Sequence, residues 1–430
     1  MTIGFQWVKN RMAIAMAPAF VLSSVNVVAQ GYGIYDARGL GMGGTATAIG
    51  STDNGLFYNP ALLALHDGDE DKTRDGRIYF PVITAEISRS VFDAVDIEED
   101  ELDERLTDSV NEFNNSQTIN NALAVVDSAD ELLRAISELN DESLFANGFS
   151  GLSITEPGDR EGGGFYIGAR VIGGAFPDVT EEDLALLEDY TEALLFVGSS
   201  GEEGVAHPEL FNADGSLIDP TDSLTSTATA AGLAIAEVGV SFAKEYNLFG
   251  HPIAVGVTPK FMILRTFDAQ LDLDTGNIDS DVSDENLRAL NFDFGMATEF
   301  ADYYRFGLSV KDVISKDFDS ETGQTVTLEP KTRMGLGYVR NTWQVGMDVD
   351  VTKVDIIGTN LSTQDLSLGG EWNVWGPVFL RGGYRYDIEE TRDDIYSLGV
   401  GLQFRRFVFD FAASDGNGAR GVSLQMGYVM

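Results

Sequence analysis

Arg420-Gly-Val-Ser-Leu-Gln-Met-Gly-Tyr-Val-Met430 alternates. Val422, Leu424, Met426, Tyr428 and Met430 share one face of an extended strand, and Ser423 and Gln425 take the other. Successive side chains of a strand point to opposite faces, so this stretch has one apolar and one polar face. The same dyad recurs upstream, where Val345, Met347, Val349 and Val351 oppose Gln344, Asp348 and Asp350.

Outward from that stretch, the pattern predicts strands at 78–90, 148–155, 164–176, 232–246, 252–270, 288–300, 303–314, 326–340, 342–354, 364–374, 377–388, 394–405, 406–414 and 420–430. That gives about 14 strands, within a range of about 12 to 16 because boundaries read from sequence drift by a few residues. The connections alternate in length. Glu156 to Asp159, Asn247 to Gly250, Ala301-Asp302, Asn341, Trp375-Gly376 and Arg405-Arg406 are short, whereas 271–287, 315–325, 355–363, 389–393 and 413–419 are longer. Short turns on one side and long loops on the other suit a bacterial outer-membrane barrel. Aromatics near strand ends (Tyr303, Tyr304, Trp343, Trp372, Trp375, Tyr384, Tyr386) suit interfacial girdles. Lys244, Lys260 and Arg265 then have to face the lumen or an interface, and Met430 stands where such strands usually end in an aromatic.

Two long excursions interrupt the early strands. In 93–147, Leu102, Leu106, Val110 and Phe113 recur at helical spacing, and Ser128-Ala-Asp-Glu131 reads as a capping box before Leu132, Leu133, Ile136 and Leu139. In 177–230, Thr180-Glu-Glu-Asp183 caps a helix carrying Leu184, Leu187, Tyr190 and Leu194. Helices packed on their own apolar faces are the expected form of both inserts.

Composition excludes several classes. The formal net charge is −41, from 69 acidic and 28 basic residues, which repels nucleic acid. Cysteine is absent, so disulfides, thiolate nucleophiles and Cys-based zinc sites are excluded. The 47 glycines and 10% aromatics suit a β-rich chain with many turns. Residues 1–29 fit a secretory signal: Lys9 and Arg11 open it, Met12 to Val28 is mostly apolar, and Val27-Val28-Ala29 offers small residues for cleavage after Ala29. No later stretch is apolar over the roughly 18–20 residues that a spanning helix needs, so membrane residence means a barrel.

Asp36-Ala-Arg-Gly-Leu-Gly-Met-Gly-Gly-Thr-Ala-Thr-Ala-Ile-Gly50 then reads as the start of a compact plug over 30–76. Its glycines permit close backbone approach, Thr45 to Ile49 is small enough for a narrow lumen, and Asn59-Pro60 marks a tight turn. Gly39-Leu-Gly41-Met-Gly-Gly44 approaches a dinucleotide fingerprint, but Tyr32 to Arg38 is a poor buried strand and Ser51-Thr-Asp-Asn-Gly55 breaks the helix that should follow.

Arg38-x-x-x-Met42-Gly43-Gly44 followed by Asn59-Pro60-Ala61 resembles the opening segment of FadL-like outer-membrane barrels, in which this segment forms a hatch. Glu237-Val-Gly-Val-Ser-Phe-Ala-Lys244 and Gly250-His-Pro-Ile-Ala-Val-Gly-Val-Thr-Pro-Lys260 resemble the TraF-like conjugal-transfer family, as do Asp183-Leu-Ala-Leu-Leu-Glu188, Asp348-Val-Asp-Val-Thr352 and the opening Asp36-Ala-Arg. These resemblances imply an exported barrel with an assigned conjugation role and supply no catalytic residue. A thiol-exchanging protein shares the TraF name, and a chain without cysteine cannot perform that chemistry.

Chemistry is otherwise sparse. His66, His207 and His251 read as solvated loop residues, none of them set beside a serine and an acid. Asp272-Leu-Asp274-Thr-Gly276 and Asp279-Ser-Asp281 hint at calcium, but Asn277 and Ser283 break the EF-hand template, leaving a solvated acidic loop.

The sequence therefore predicts an all-β protein: a transmembrane antiparallel barrel at 77–430, a signal at 1–29, a plug at 30–76 and two helical extracellular inserts at 93–147 and 177–230. Met42, Gly43, Gly44, Asn59 and Pro60 are the expected plug or ligand residues. No catalytic residue, metal, cofactor or nucleic-acid partner is expected. The expected partners are outer-membrane lipid and other transfer or secretion proteins or, on the alternative reading of a FadL-like uptake channel, a small hydrophobic ligand.

Overall fold

The computed structural model describes residues 26–28, 32–51, 54–65, 76–90, 102–140, 144–158, 160–200, 207–248, 250–272, 278–282, 287–301, 303–319, 325–355 and 362–430. Fourteen strands among them form one closed antiparallel ring. In chain order these are β1 Arg77–Ser88, β2 Leu144–Glu156, β3 Glu161–Asp178, β4 Thr227–Leu248, β5 His251–Asp272, β6 Leu287–Phe300, β7 Tyr304–Lys311, β8 Lys331–Val339, β9 Trp343–Asp350, β10 Asp365–Asn373, β11 Val378–Asp387, β12 Ile395–Phe404, β13 Phe407–Asp415 and β14 Ala419–Val429. Each pairs with its sequence neighbours, and β14 closes on β1 with Leu424 opposite Ile83.

Period-two alternation dictates what each face carries. On β14, Ser423 and Gln425 are buried in the lumen, and Val422, Leu424 and Met426 are exposed on the outer wall. Asp348 and Asp350 of β9 face inward, and Val345 and Met347 face outward. An outer wall this apolar needs a covering medium other than water. No helix among the described residues is long and apolar enough to cross a membrane.

The three basic residues singled out in sequence separate cleanly. Lys260 lies in the lumen, its Nζ 2.7 Å from Asp293 and 2.6 Å from Asp312. Lys244 pairs with Glu161 beside the short turns. Arg265 is exposed beyond Leu264, the last β5 residue paired with β6.

The expected strand at 326–340 is two pieces. Thr325–Leu328 pairs with Lys316–Asp319, and Pro330 interrupts the run before β8 begins at Lys331. Proline has no N–H for the ladder, so it divides the two pieces. Asn26–Val28, inside the expected signal, runs parallel to Thr325–Thr327.

Three helices sit between the early strands: α3 Leu102–Asn115, α4 Ile119–Asn140 and α5 Glu181–Ser200 (α1 and α2 lie upstream, below). They share one apolar cluster containing Leu106, Val125, Leu187, Tyr190 and Leu194, joined by Leu210 and Leu217. Ser128 does not start a helix. It lies within α4, its hydroxyl 2.8 Å from that of Ser109, and the cap is Thr118, whose Oγ1 accepts from Asn121 N at 3.2 Å. Ser128 to Glu131 fits the box pattern, but the apolar period runs unbroken from Ala122 through Val125, so the helix continues across it.

Thr180 caps α5 as expected, accepting from Asp183 N at 3.2 Å. Asp183 does not reach back to complete the box. Its carboxylate instead accepts from Thr225 N at 2.9 Å and Ser226 N at 2.6 Å, tying α5 to the strand that follows. Burial pushes the Asp183 pKa up, but the Ser226 and Thr225 donors outweigh it and hold the carboxyl below its ordinary value. A folded pKa below the unfolded one stabilises above the unfolded value of about 4, and this stability is lost as pH falls through the folded pKa. Asp183→Asn is expected to cost about 1 kcal/mol in the helical region at neutral pH and to remove that acid dependence, read by amide exchange in α5.

Candidate functional site

Residues 32–51 and 54–65 are packed inside the ring. Two short helices, α1 Ala37–Gly41 and α2 Gly55–Tyr58, and the 3-10 turn Pro60–Ala64 shape the segment. Its centre is Asp36. This carboxylate caps α1 through Gly39 N at 2.9 Å and accepts from Asn54 Nδ2 at 3.0 Å and Tyr58 OH at 2.9 Å. Burial pushes the Asp36 carboxyl up, offset in part by those donors and by the charge of Arg38. Burial, and after it the negative charge of Asp36, raises the Tyr58 hydroxyl well above its ordinary value.

The wall meets the segment with glycine. A Cβ on Gly256 would lie 2.4 Å from Ala61 N, and one on Gly295 would lie 2.0 Å from Asn59 Oδ1. On Gly307 it would lie 2.1 Å from Thr47 O, on Gly369 2.3 Å from Met42 O, and on Gly383 2.1 Å from Gly43 N. These glycines fall on β5, β6, β7, β10 and β11, so much of the ring is cut back to backbone where the segment passes. Only glycine leaves room for such contact.

The five expected residues are all in this unit but touch different walls. Met42 is fully buried with Ala48 and Ile49, against β10. Gly43, at φ +63°, lies against the Tyr384 backbone of β11, and Gly44, at φ +88°, accepts through its carbonyl from Arg333 at 3.2 Å. Asn59 and Pro60 face β5 and β6. Asn59 Nδ2 donates to Thr47 O at 2.8 Å and to Met296 O at 3.1 Å, and its Oδ1 accepts from Ala61 N.

Sequence reading missed the wall residues that hold the segment. Asp348 Oδ2 accepts from Ala46 N at 2.9 Å and Thr47 N at 2.8 Å. Lys311 Nζ donates to Phe57 O at 2.6 Å, and Ser309 Oγ to Tyr58 O at 2.7 Å. Arg38 bridges to Glu371 at 3.1 Å and to Ile49 O at 2.9 Å. Inward-facing polar residues two apart from wall glycines, such as Arg333 to Gly335 and Asp348 to Gly346, were the available signal.

Above the segment, toward the long connections, lies a small cavity of about 60 Å³. Tyr32, Tyr35 and Phe149 form an aromatic side, and Arg170, Arg385 and Arg392 stand with Glu86 and Asp365 on the rest. This lining is charged, and the volume holds a few waters and is too small for a drug-sized ligand.

Of the histidines, His251 is exposed at the start of β5, and His66 lies outside the described residues. His207 is not simply solvated: Nδ1 lies 3.1 Å from Glu209 and 3.6 Å from Asp189, and these three could each offer one ligand atom to a metal. Residues 273–277 of the acidic loop lie outside the described residues.

Fold and site together define a closed antiparallel β-barrel filled by its own N-terminal segment. The chain belongs to the TraF_2 family, described as "F plasmid transfer operon, TraF, protein", which it matches over residues 56–350. No curated protein sequence matches it. Among solved structures, the Pseudomonas putida toluene transporter TodX is 12% identical with a TM-score of 0.44, covering 94% of this chain and 98% of its own. A Pseudomonas aeruginosa FadL homologue is 12% identical with a TM-score of 0.45, covering 92% and 98%. The CymD monoaromatic hydrocarbon channel is 11% identical with a TM-score of 0.46, covering 92% and 97%.

Proposed function

We propose that this protein is a sealed, non-catalytic outer-membrane barrel serving a conjugal-transfer or related secretion apparatus. On this reading residues 1–29 are a cleaved leader, 30–76 a plug, and the two helical inserts face outward from the cell. One observation carries it: the segment meets the wall backbone to backbone through Gly256, Gly307, Gly369 and Gly383, on four strands of the ring. The apolar outer wall supports the membrane location, and the family's description supports the apparatus.

Reconstituted into planar bilayers, the purified protein is expected to carry no steady current while showing a heat-modifiable band on gel electrophoresis. Open-channel conductance in the unmodified protein would overturn the sealed reading, and recovery only from soluble periplasm would overturn the barrel location.

The alternative, a channel for small hydrophobic molecules, is favoured by the aromatic side of the cavity, Tyr32, Tyr35 and Phe149. The buried ion pairs of Arg170, Arg385 and Arg392 with Glu237, Asp312, Glu86 and Asp365 on the same cavity argue against it, because they present an apolar ligand with a charged lining. Toluene uptake into vesicles is expected to match protein-free controls, and faster uptake would favour the channel.

A further inference from the structure

The wall is bare on both faces at one place. Gly369 pairs with Gly383 across β10 and β11, and the next pair in register is Gly370 with Gly382. The first pair faces the lumen and receives Met42 and Gly43. Alternation turns the second pair outward; a Cβ on Gly382 would meet no atom within 4 Å, whereas one on Gly370 would lie 3.3 Å from Val345 Cγ1. Around it Leu336, Val345, Met347, Leu368 and Tyr384 stand up as rims of a shallow groove of about 760 Å³.

One end of the groove is marked by charge. Phe300, Tyr304 and Tyr338 line it near the short turns. Arg340 is exposed at that end, its guanidinium 3.6 Å from the Tyr303 ring centroid and its Nε donating to Tyr338 OH at 2.9 Å. Stacking on one ring and bonding to the next hold the cation beside the groove mouth. A void along an apolar wall forfeits dispersion contacts, and a flexible hydrocarbon chain is the one component of a bilayer able to lie along such a groove. A cation at the groove mouth of so acidic a chain complements the phosphate that such a chain carries.

We propose that this face is a phospholipid site: one acyl chain lies over Gly370 and Gly382, and the phosphate sits on Arg340. The inference rests on the membrane location proposed above but not on the sealed lumen or the apparatus.

The test uses the full chain in phosphatidylcholine vesicles, with brominated phosphatidylcholine or brominated diacylglycerol as quencher. The reporter is Trp343, whose ring centroid lies 5.3 Å from that of Tyr338, and every protein in the test carries Trp372→Phe and Trp375→Phe, because those two exposed indoles would otherwise be quenched as well. The brominated phospholipid is expected to quench at about threefold lower mole fraction than the diacylglycerol, the difference a phosphate on one exposed arginine supplies. Arg340→Gln should bring the two together. Gly382→Leu, at a position where a Cβ meets no atom within 4 Å, should fill the groove and weaken quenching by both. Heat-modifiable mobility checks that each variant still folds, and its absence in the unmodified protein would fault the barrel location and not the groove. Equal quenching by the two lipids in the unmodified protein, or quenching unchanged by Gly382→Leu, would overturn the site. So would a dimer in light scattering whose Trp343 is shielded from both lipids, since a second copy would then cover the groove.

Discussion

Gly383→Val is expected to open the barrel. A Cβ at Gly383 would stand 2.1 Å from Gly43 N and 2.3 Å from the Met42 carbonyl carbon. Both neighbours are backbone, so no side chain can rotate away. Gly43 sits at φ +63°, and a Cβ there would itself meet Tyr384 N at 2.9 Å, so the contact is tight from both sides. Overpacking of this kind costs about 1–3 kcal/mol, with the upper end expected where backbone meets backbone. The barrel ladders run independently of this contact, so the segment is the part that yields. The variant should keep its heat-modifiable band, conduct ions in planar bilayers and lose residues 32–65 to added protease. Gly382→Ala is the matched control: one residue along, on the outer face, with no atom within 4 Å of the new Cβ. It should behave as the unmodified protein. If Gly383→Val stays closed and protected, the close contact does not hold the segment.

How much of this was readable in sequence depends on what sets each feature. Barrel strands announce themselves because one face of each is apolar and the other is not. Val422, Leu424 and Met426 against Ser423 and Gln425 required a two-faced strand, and connection lengths then ordered the strands. Helix starts were less legible. Ser128 to Glu131 and Thr180 to Asp183 have equivalent spellings, yet only Thr180 caps, because only there does the apolar period begin afterwards. The segment was visible through Met42-Gly43-Gly44 and Asn59-Pro60. The residues that hold it were not, because Asp348, Lys311 and Glu371 are distant in sequence and acquire a role only when the ring closes. Nor could the sequence separate inward from outward glycines before the register was fixed. Gly369 and Gly370 are adjacent in sequence, yet one meets the segment and the other lies in the outer groove.

The lumen also shows how so acidic a chain buries its charge. Arg333 with Asp350, Arg381 with Asp410 and Glu371, and Lys260 with Asp293 and Asp312 all face inward as close pairs. Breaking a buried pair by removing one member is costly, because it strands the other charge away from water. The inward charges of these strands are therefore committed to neighbouring strands.

Asp348→Ala should release the segment from the opposite direction, by removing an acceptor. Ala46 N and Thr47 N both donate to one oxygen of this carboxylate, and both residues are fully buried. Alanine leaves two buried N–H groups without their acceptor. Each such loss costs about 1–3 kcal/mol, so roughly 2–6 kcal/mol is expected, read as a lower guanidinium midpoint and as protease cleavage near residues 44–50. Asp348→Asn keeps an acceptor oxygen of the same reach and should lose about half as much, which separates the hydrogen bonds from mere bulk. Gly335 bears on the outcome too: a Cβ there would lie 2.4 Å from Asp348 Oδ1, so the glycine on β8 makes room for the carboxylate on β9. Arg333, two residues from Gly335, donates to Gly44 O at 3.2 Å, so β8 and β9 grip residues 44–47 by their carbonyl and N–H groups together. An Asp348→Ala protein with an unchanged midpoint and a protected segment would mean that Arg333 and the glycine contacts hold the segment without Asp348.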